Sequence, residues 1–132
     1  MTPVDLVHKE KIIRSAEIAA DLASHYGASL VLVGVIGGPP GALAYDTSEY
    51  DRQLATFAAE VGAKAGIEVQ SQTIVSPDPA AELDSRIAEA AKELEVDLVV
   101  MASHKPGLLE YILPSHAGRL AAHSALSVFV VR

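Results

Sequence analysis

Polar residues follow two short apolar segments of this chain. Asp5 follows the first segment, and a longer polar stretch begins at Ser103, directly after the apolar run 98–102. Such a run between polar residues is typical of a strand buried on both faces of a parallel sheet. In open parallel sheets, ligands bind beyond the carboxyl ends of the strands, and anions bind at helix N-termini. The sequence therefore predicts one ligand-binding cleft formed by Asp5 and the polar segment after residue 102.

Each candidate residue also has an ordinary structural role, which the sequence leaves open. Asp5 could accept a hydrogen bond from a ligand, or it could form a turn or cap a helix. Ser115 could donate its hydroxyl to a phosphate or act as the N-cap of the last helix. Lys105 could pair with a phosphate or remain solvated in its loop. His104 and His116 have no carboxylate or cysteine at ligand spacing, so no metal site is indicated.

The rest of the chain alternates between predicted strands and helices. Apolar residues at helical spacing predict helices over about 9–26, 46–65, 80–95 and 115–124. Apolar segments predict strands over 1–5, 29–36, 68–75, 98–102 and 128–131, and the third of these is polar enough for a sheet edge. This order predicts a single three-layer α/β domain over residues 1–132, with a five-stranded parallel sheet in the order 3-2-1-4-5 and four helices.

The amino-acid composition argues against several classes of function. The chain is 50% hydrophobic with a net charge of -7, and its ten Lys and Arg residues are scattered, so we expect no nucleic-acid partner. The absence of cysteine excludes disulfides and thiolate chemistry and suits the cytoplasm. No apolar run reaches the roughly 20 residues that span a bilayer, and no signal peptide precedes the first strand. We therefore expect a cytoplasmic protein without membrane insertion.

The segment 99–104, Val-Val-Met-Ala-Ser-His, is followed by a loop, a serine at a helix start and a terminal Val-Phe-Val-Val-Arg. This arrangement resembles the universal stress protein family over nearly the whole chain. Segment 3–5 looks like the end of that family's first strand, before which the family usually has several more residues. One branch of the family reads Ala-Ser-His-Arg-Pro after its fourth strand, and segment 102–106 is similar to it. The resemblance implies an adenine nucleotide alpha hydrolase-like fold.

The resemblance also implies that the cleft binds ATP, with Mg²⁺. The residues that it places at the nucleotide are Pro3, Val4, Asp5, Val35, Met101, Ala102, Ser103, His104, Lys105, Ser115 and His116. Nucleotide-binding members carry Gly-x2-Gly-x9-Gly after the fourth strand, because glycine lets backbone N–H groups approach the phosphates. This chain departs from that pattern, with Ala102 and Lys105 at the first two positions. Pro114 or Ser115 stands at the third, and Pro114 removes a backbone N–H.

The last strand is apolar and lies at the edge of the predicted sheet. Its residues are Val128, Phe129, Val130 and Val131. An exposed apolar edge is usually paired or covered, and antiparallel pairing with a second copy would give an isologous homodimer. Family members often dimerise in this way. A loop covering the edge is the alternative.

These observations predict a universal stress protein-like dimer that serves as a cytoplasmic regulatory or stress-response module and binds an adenine nucleotide. No Walker A run, nucleophile elbow or zincin helix is present, so we expect at most slow ATP hydrolysis. The alternative is a nucleotide-free adaptor that acts through protein contacts, with loop 39–46 as a candidate surface. A phosphoacceptor receiver is disfavoured, since the third strand ends at Val75-Ser76 without an aspartate.

Overall fold

A computed structural model of the chain describes residues 1–37, 43–102, 120 and 126–132. Its strands are β1 (Thr2–Val4), β2 (Leu30–Gly37), β3 (Val69–Ser76), β4 (Leu98–Ala102) and β5 (Ser127–Val131). Its α-helices are α1 (Lys9–Tyr26), α2 (Leu43–Ala65) and α3 (Pro79–Glu93), and a single 3₁₀ turn, Leu6–His8, joins β1 to α1. The alternation of strands and helices confirms the predicted α/β class.

All the observed strand pairs are parallel, but they form two sheets instead of the predicted five-stranded one. β1, β2 and β3 form a three-stranded sheet in that order, and β4 and β5 form a two-stranded sheet. The physical reason is the length of β1, which has only three residues. Contact with β4 is made by Met1, whose N–H donates to the Leu98 carbonyl at 2.9 Å and whose carbonyl accepts from the Val100 N–H at 3.0 Å.

Three of the four predicted helices are described, and their ends follow from local sequence. Gly27 ends α1 with φ of 63°, in the left-handed region that glycine adopts without strain. Asp78 begins α3, because its side chain accepts the N–H of Ala81 at 3.2 Å and Pro79 occupies the first turn. The predicted fourth helix, 115–124, lies outside the described residues except for Leu120, which is helical and buried.

Two apolar clusters cover the two faces of the strands. The first packs α1 and α2 against alternate residues of β1 and β2, including Val4 and Leu32. The second packs α3 and Leu120 against Met1, Val33 and their neighbours. This layering places helices on both faces, as the strand–helix order predicts.

The edge positions agree with the sequence pattern. β3 is the outer strand of its sheet, as its polar alternation predicts. Among the described residues, β5 pairs with β4 alone, and its Phe129 and Val130 are 45% and 43% exposed. In the described part of the chain, no helix combines the length and the apolar character needed to cross a membrane.

Candidate functional site

The carboxyl ends of β1, β2 and β4 meet at one edge. Val4 is level with Gly34 in the β1–β2 ladder, so Asp5 follows at the level of Val35. The two hydrogen bonds of Met1 fix the register between β1 and β4, and extending that register places Val4 level with Ala102. Asp5 and the end of β4 therefore face the same edge, where ligands bind in open parallel sheets.

The Asp5 carboxylate is half exposed and already holds the turn after β1. Its Oδ1 accepts the N–H of Val7 at 3.0 Å, and its Oδ2 lies 2.7 Å from Nδ1 of His8. The structural role that the sequence left open for Asp5 is thus present. An ionised carboxylate offers about four acceptor positions, so these two bonds leave room for a ligand donor on the solvent side.

The other candidate residues on the strands could contact a ligand mainly through their backbone atoms. The side chains of Val4 and Met101 are 6% and 7% exposed and belong to the core. Pro3, Val35 and Ala102 are half-buried. A ligand at this edge would therefore meet the main chain of β2 and β4 together with the Asp5 carboxylate.

Five of the predicted nucleotide ligands follow β4 in the sequence. Ser103, His104, Lys105, Ser115 and His116 all lie outside the described residues. Among the predicted site residues, the strands and the Asp5 turn hold those that the structure describes.

Tyr50, on α2, is a neighbour of the site that is not among the predicted site residues. It reaches from α2 across Gly34, where an added Cβ would lie 2.5 Å from the ring Cε1 and 2.8 Å from Cζ. Burial raises the pKa of Tyr50, the charge of Asp5 raises it further, and a hydrogen bond with the Leu6 backbone partly offsets both. The neutral ring therefore covers the α2 side of the Asp5 turn. A glycine near a strand end was the available signal, since it often marks a close approach.

A groove lies beside this turn. It has a volume of about 340 Å³ and is lined by Leu6, Glu49, Arg52, Gln53, Thr56 and Phe57. Arg52 donates to both carboxylate oxygens of Glu49 at 2.7–3.1 Å, and these bonds, followed by one from Gln53, lower the pKa of Glu49. The Arg52 guanidinium is already paired with the Glu49 carboxylate, so it does not form a binding site for another anion.

The described residues do not gather three or more histidine, cysteine, aspartate or glutamate side chains into a group that could hold a metal ion. Asp5 and His8 are a pair, and their hydrogen bond spans one turn. The Asp5 carboxylate and the main chain at the ends of β2 and β4 offer hydrogen-bonding groups to a polar ligand at this edge.

Comparison with known proteins agrees with this architecture. The family model described as "Universal stress protein family" matches residues 3–132. A universal stress protein from Archaeoglobus fulgidus is 20% identical with a TM-score of 0.77, covering 99% of this chain and 96% of that chain.

Two further solved structures are similar and contain nucleotides. A universal stress protein in complex with cAMP is 17% identical with a TM-score of 0.76, covering 99% of this chain and 95% of that one. A universal stress protein from Archaeoglobus fulgidus in complex with dAMP is 18% identical with a TM-score of 0.73, covering 99% and 94%. At these identities the likeness establishes the fold. Because the family match extends over residues 3–132, the chain belongs to the universal stress protein family.

Proposed function

We propose that this chain is a cytoplasmic stress-response module that binds an adenine nucleotide at the carboxyl edge of β1, β2 and β4. The observation that carries the proposal is the half-exposed Asp5 carboxylate at the end of β1, level with Val35 and beside the end of β4. Relatives of the same fold have been solved with cAMP and with dAMP. Both ligands contain an adenine base and a sugar, which we expect this edge to bind.

Asp5 is the expected anchor of the adenosine part. Its free acceptor positions can take the adenine amino group or a ribose hydroxyl, while the main chain at Val35 reads the adenine edge. Hydrogen bonds to a charged group contribute about 1.5–3 kcal/mol. Loss of this carboxylate should therefore weaken binding by about tenfold or more.

The phosphates are expected at the segment after β4, through Lys105 and the Ser115 hydroxyl. ATP with Mg²⁺ is the nucleotide that we test first, and AMP and cAMP are tested beside it. Lys105 would act as a mobile point charge, whereas Pro114 withholds one backbone donor. A nucleotide with fewer phosphates would need fewer contacts from this segment.

A melting-temperature series tests the proposal. A nucleotide at a hundredfold its Kd stabilises the folded state by about 2.7 kcal/mol, so ATP, AMP or cAMP should raise Tm while GTP should raise it less. Asp5→Asn should lose most of this shift, because it keeps a cap for the turn but removes the charge. Asp51→Asn, an exposed change on α2, is the matched control. No shift with any adenine nucleotide at millimolar concentration would contradict the proposal.

The second candidate is a nucleotide-free adaptor that acts through protein contacts. The observation that favours it is Tyr50, whose ring packs on Gly34 beside the Asp5 turn and covers part of the edge. If this ring excludes adenine, Tyr50→Ala should gain a nucleotide-dependent Tm shift that the unmodified chain lacks. Nucleotide binding by the unmodified chain would reject the adaptor.

We also propose that two copies pair through β5. The exposed Phe129 and Val130 lie on a strand that pairs with β4 alone among the described residues. Antiparallel pairing of two such strands would satisfy the free backbone edge and cover both side chains.

A further inference from the structure

His8 and Asp5 form a hydrogen-bonded pair, the Asp5–His8 dyad, in the turn between β1 and α1. Nδ1 of His8 lies 2.7 Å from Oδ2 of Asp5, and the His8 backbone N–H donates to the Asp5 carbonyl at 3.0 Å. The other carboxylate oxygen of Asp5 accepts the N–H of Val7 at 3.0 Å. The same turn therefore holds both the imidazole ring and the carboxylate in place.

The contact with Asp5 determines which ring nitrogen of a neutral His8 carries the proton. An ionised carboxylate only accepts hydrogen bonds, so Nδ1 must be protonated and Nε2 keeps its lone pair. Among the described residues, Nε2 has no hydrogen-bond partner, and the His8 side chain is 56% exposed. An imidazole whose Nδ1–H is held by a carboxylate is the arrangement in which histidine acts as a base or a nucleophile. Nε2 of His8 is therefore available to attack an electrophile from solvent.

The charges around the ring favour a phosphoryl group as that electrophile. His8 is the N-cap residue of α1 and its side chain does not cap the helix, whose N-terminus favours negative charge. Two lysines and one glutamate follow directly in the sequence, at 9–11. In the groove beside the turn, Glu49 and Arg52 are paired with each other. In the described part of the chain, the carboxylate that contacts the ring is that of Asp5, and it does so at the opposite nitrogen.

We propose that His8 is a phosphoacceptor, which takes a phosphoryl group on Nε2 from a small acyl phosphate. The Nε2 lone pair attacks phosphorus and forms the N–P bond, while the P–O bond to the acyl group breaks and the acid leaves as a carboxylate with the bonding electron pair. The Nδ1 proton stays on the ring, which becomes a phosphorylated imidazolium beside the Asp5 carboxylate. Asp5 stabilises the positive charge that the reaction creates, as the aspartate of a Ser-His-Asp triad does.

The proposed step uses no nucleotide, so it does not depend on the function proposed above. It also differs from the aspartate phosphorylation of a receiver domain, since Asp5 here holds the ring and does not itself accept the phosphoryl group.

Acetyl phosphate is the probe, added to the unmodified chain without nucleotide. Peptide mass mapping and phosphorus NMR should find a phosphoryl group on Nε2 of His8 that is labile in acid and stable in base. His25, an exposed histidine at the other end of α1 that contacts the Tyr26 ring, is the internal control and should react much more slowly. His8→Gln should abolish the main product, while His25→Gln should leave its rate unchanged.

Asp5→Asn tests the role of the dyad. Its side-chain oxygen can still accept the Val7 N–H, but its amide can donate to Nδ1 and so place the proton on Nε2. Phosphorylation of His8 should therefore slow by about tenfold or more.

The proposal is overturned if His8 is not phosphorylated, if another histidine reacts as fast, or if Asp5→Asn leaves the rate unchanged. A base-labile phosphoryl group that maps to Asp5 would identify an acyl phosphate and also overturn it. Because no nucleotide is added, a negative result here leaves nucleotide binding at the carboxyl edge open, and a failure of nucleotide binding leaves the result for His8 standing.

Discussion

At the scale of one residue, Asp5 has a structural role in its turn and keeps acceptor positions for the proposed ligand. Its two oxygens bond Val7 and His8 within the turn after β1. The sequence left both roles open, and the structure supplies the turn. The partner His8 was within reach of sequence reasoning, since it lies one turn further on. The contact of Tyr50 with Gly34 depends on how α2 packs, and a glycine near a strand end was its sequence signal.

Gly34→Ala should destabilise the fold by about 1–3 kcal/mol, as overpacking does. The new Cβ would lie 2.5 Å from Cε1 of Tyr50, so the ring must move. Denaturant unfolding measures the loss. In a Tyr50→Ala background, Gly34→Ala should reduce the free energy of unfolding much less. Equal losses in the two backgrounds would show that the Tyr50 ring is not the reason for a glycine at position 34.

The Met1 α-amino group gives stability a pH dependence. Burial lowers its pKa below the usual 8.0 in the folded chain, and the charge of Asp97 offsets part of that shift. Below pH 8 the unfolded chain therefore binds more protons, so this group's contribution is present above pH 8 and is lost as pH falls through the folded pKa. Unfolding measured between pH 6 and 8 should show a smaller slope once Met1 is acetylated. Identical slopes would contradict this assignment.

At the scale of elements, the start of α3 depends on one cap. Asp78 accepts the Ala81 N–H, and Pro79 packs against Gly37 at the end of β2. Asp78→Ala should cost about 1 kcal/mol of stability, measured by thermal or denaturant unfolding. Asp78→Asn keeps a capping oxygen and should cost little. A similar loss for both substitutions would indicate that charge and not capping is responsible.

The elements themselves were largely predictable. Helix α1 has the bounds that the apolar spacing and Gly27 indicate, and β2 and β3 each lie one residue further along than predicted. The division into two sheets was not predictable from pattern, because it depends on how few residues of β1 reach β4. The position of Asp5 at the end of β1 was predictable from the strand pattern, and the predicted phosphate segment lies outside the described residues.

At the scale of the whole molecule, the β5 edge should set the oligomeric state. The unmodified chain should be a dimer by light scattering, and Val130→Lys should shift it toward monomer, because two copies would place like charges across the interface. Val7→Lys, at a residue that is 85% exposed in the turn after β1, is the control. A monomeric unmodified chain would contradict pairing through β5.

Adenine nucleotide binding at the carboxyl edge is the central claim, and amide shift mapping tests it most directly. Titration with ATP and Mg²⁺, and separately with cAMP, should perturb Asp5, Val35 and Ala102 saturably and leave Leu30, at the opposite end of β2, unchanged. Asp5→Asn should weaken the same perturbations by about tenfold. Saturable shifts centred elsewhere, or none with either nucleotide, would contradict the account.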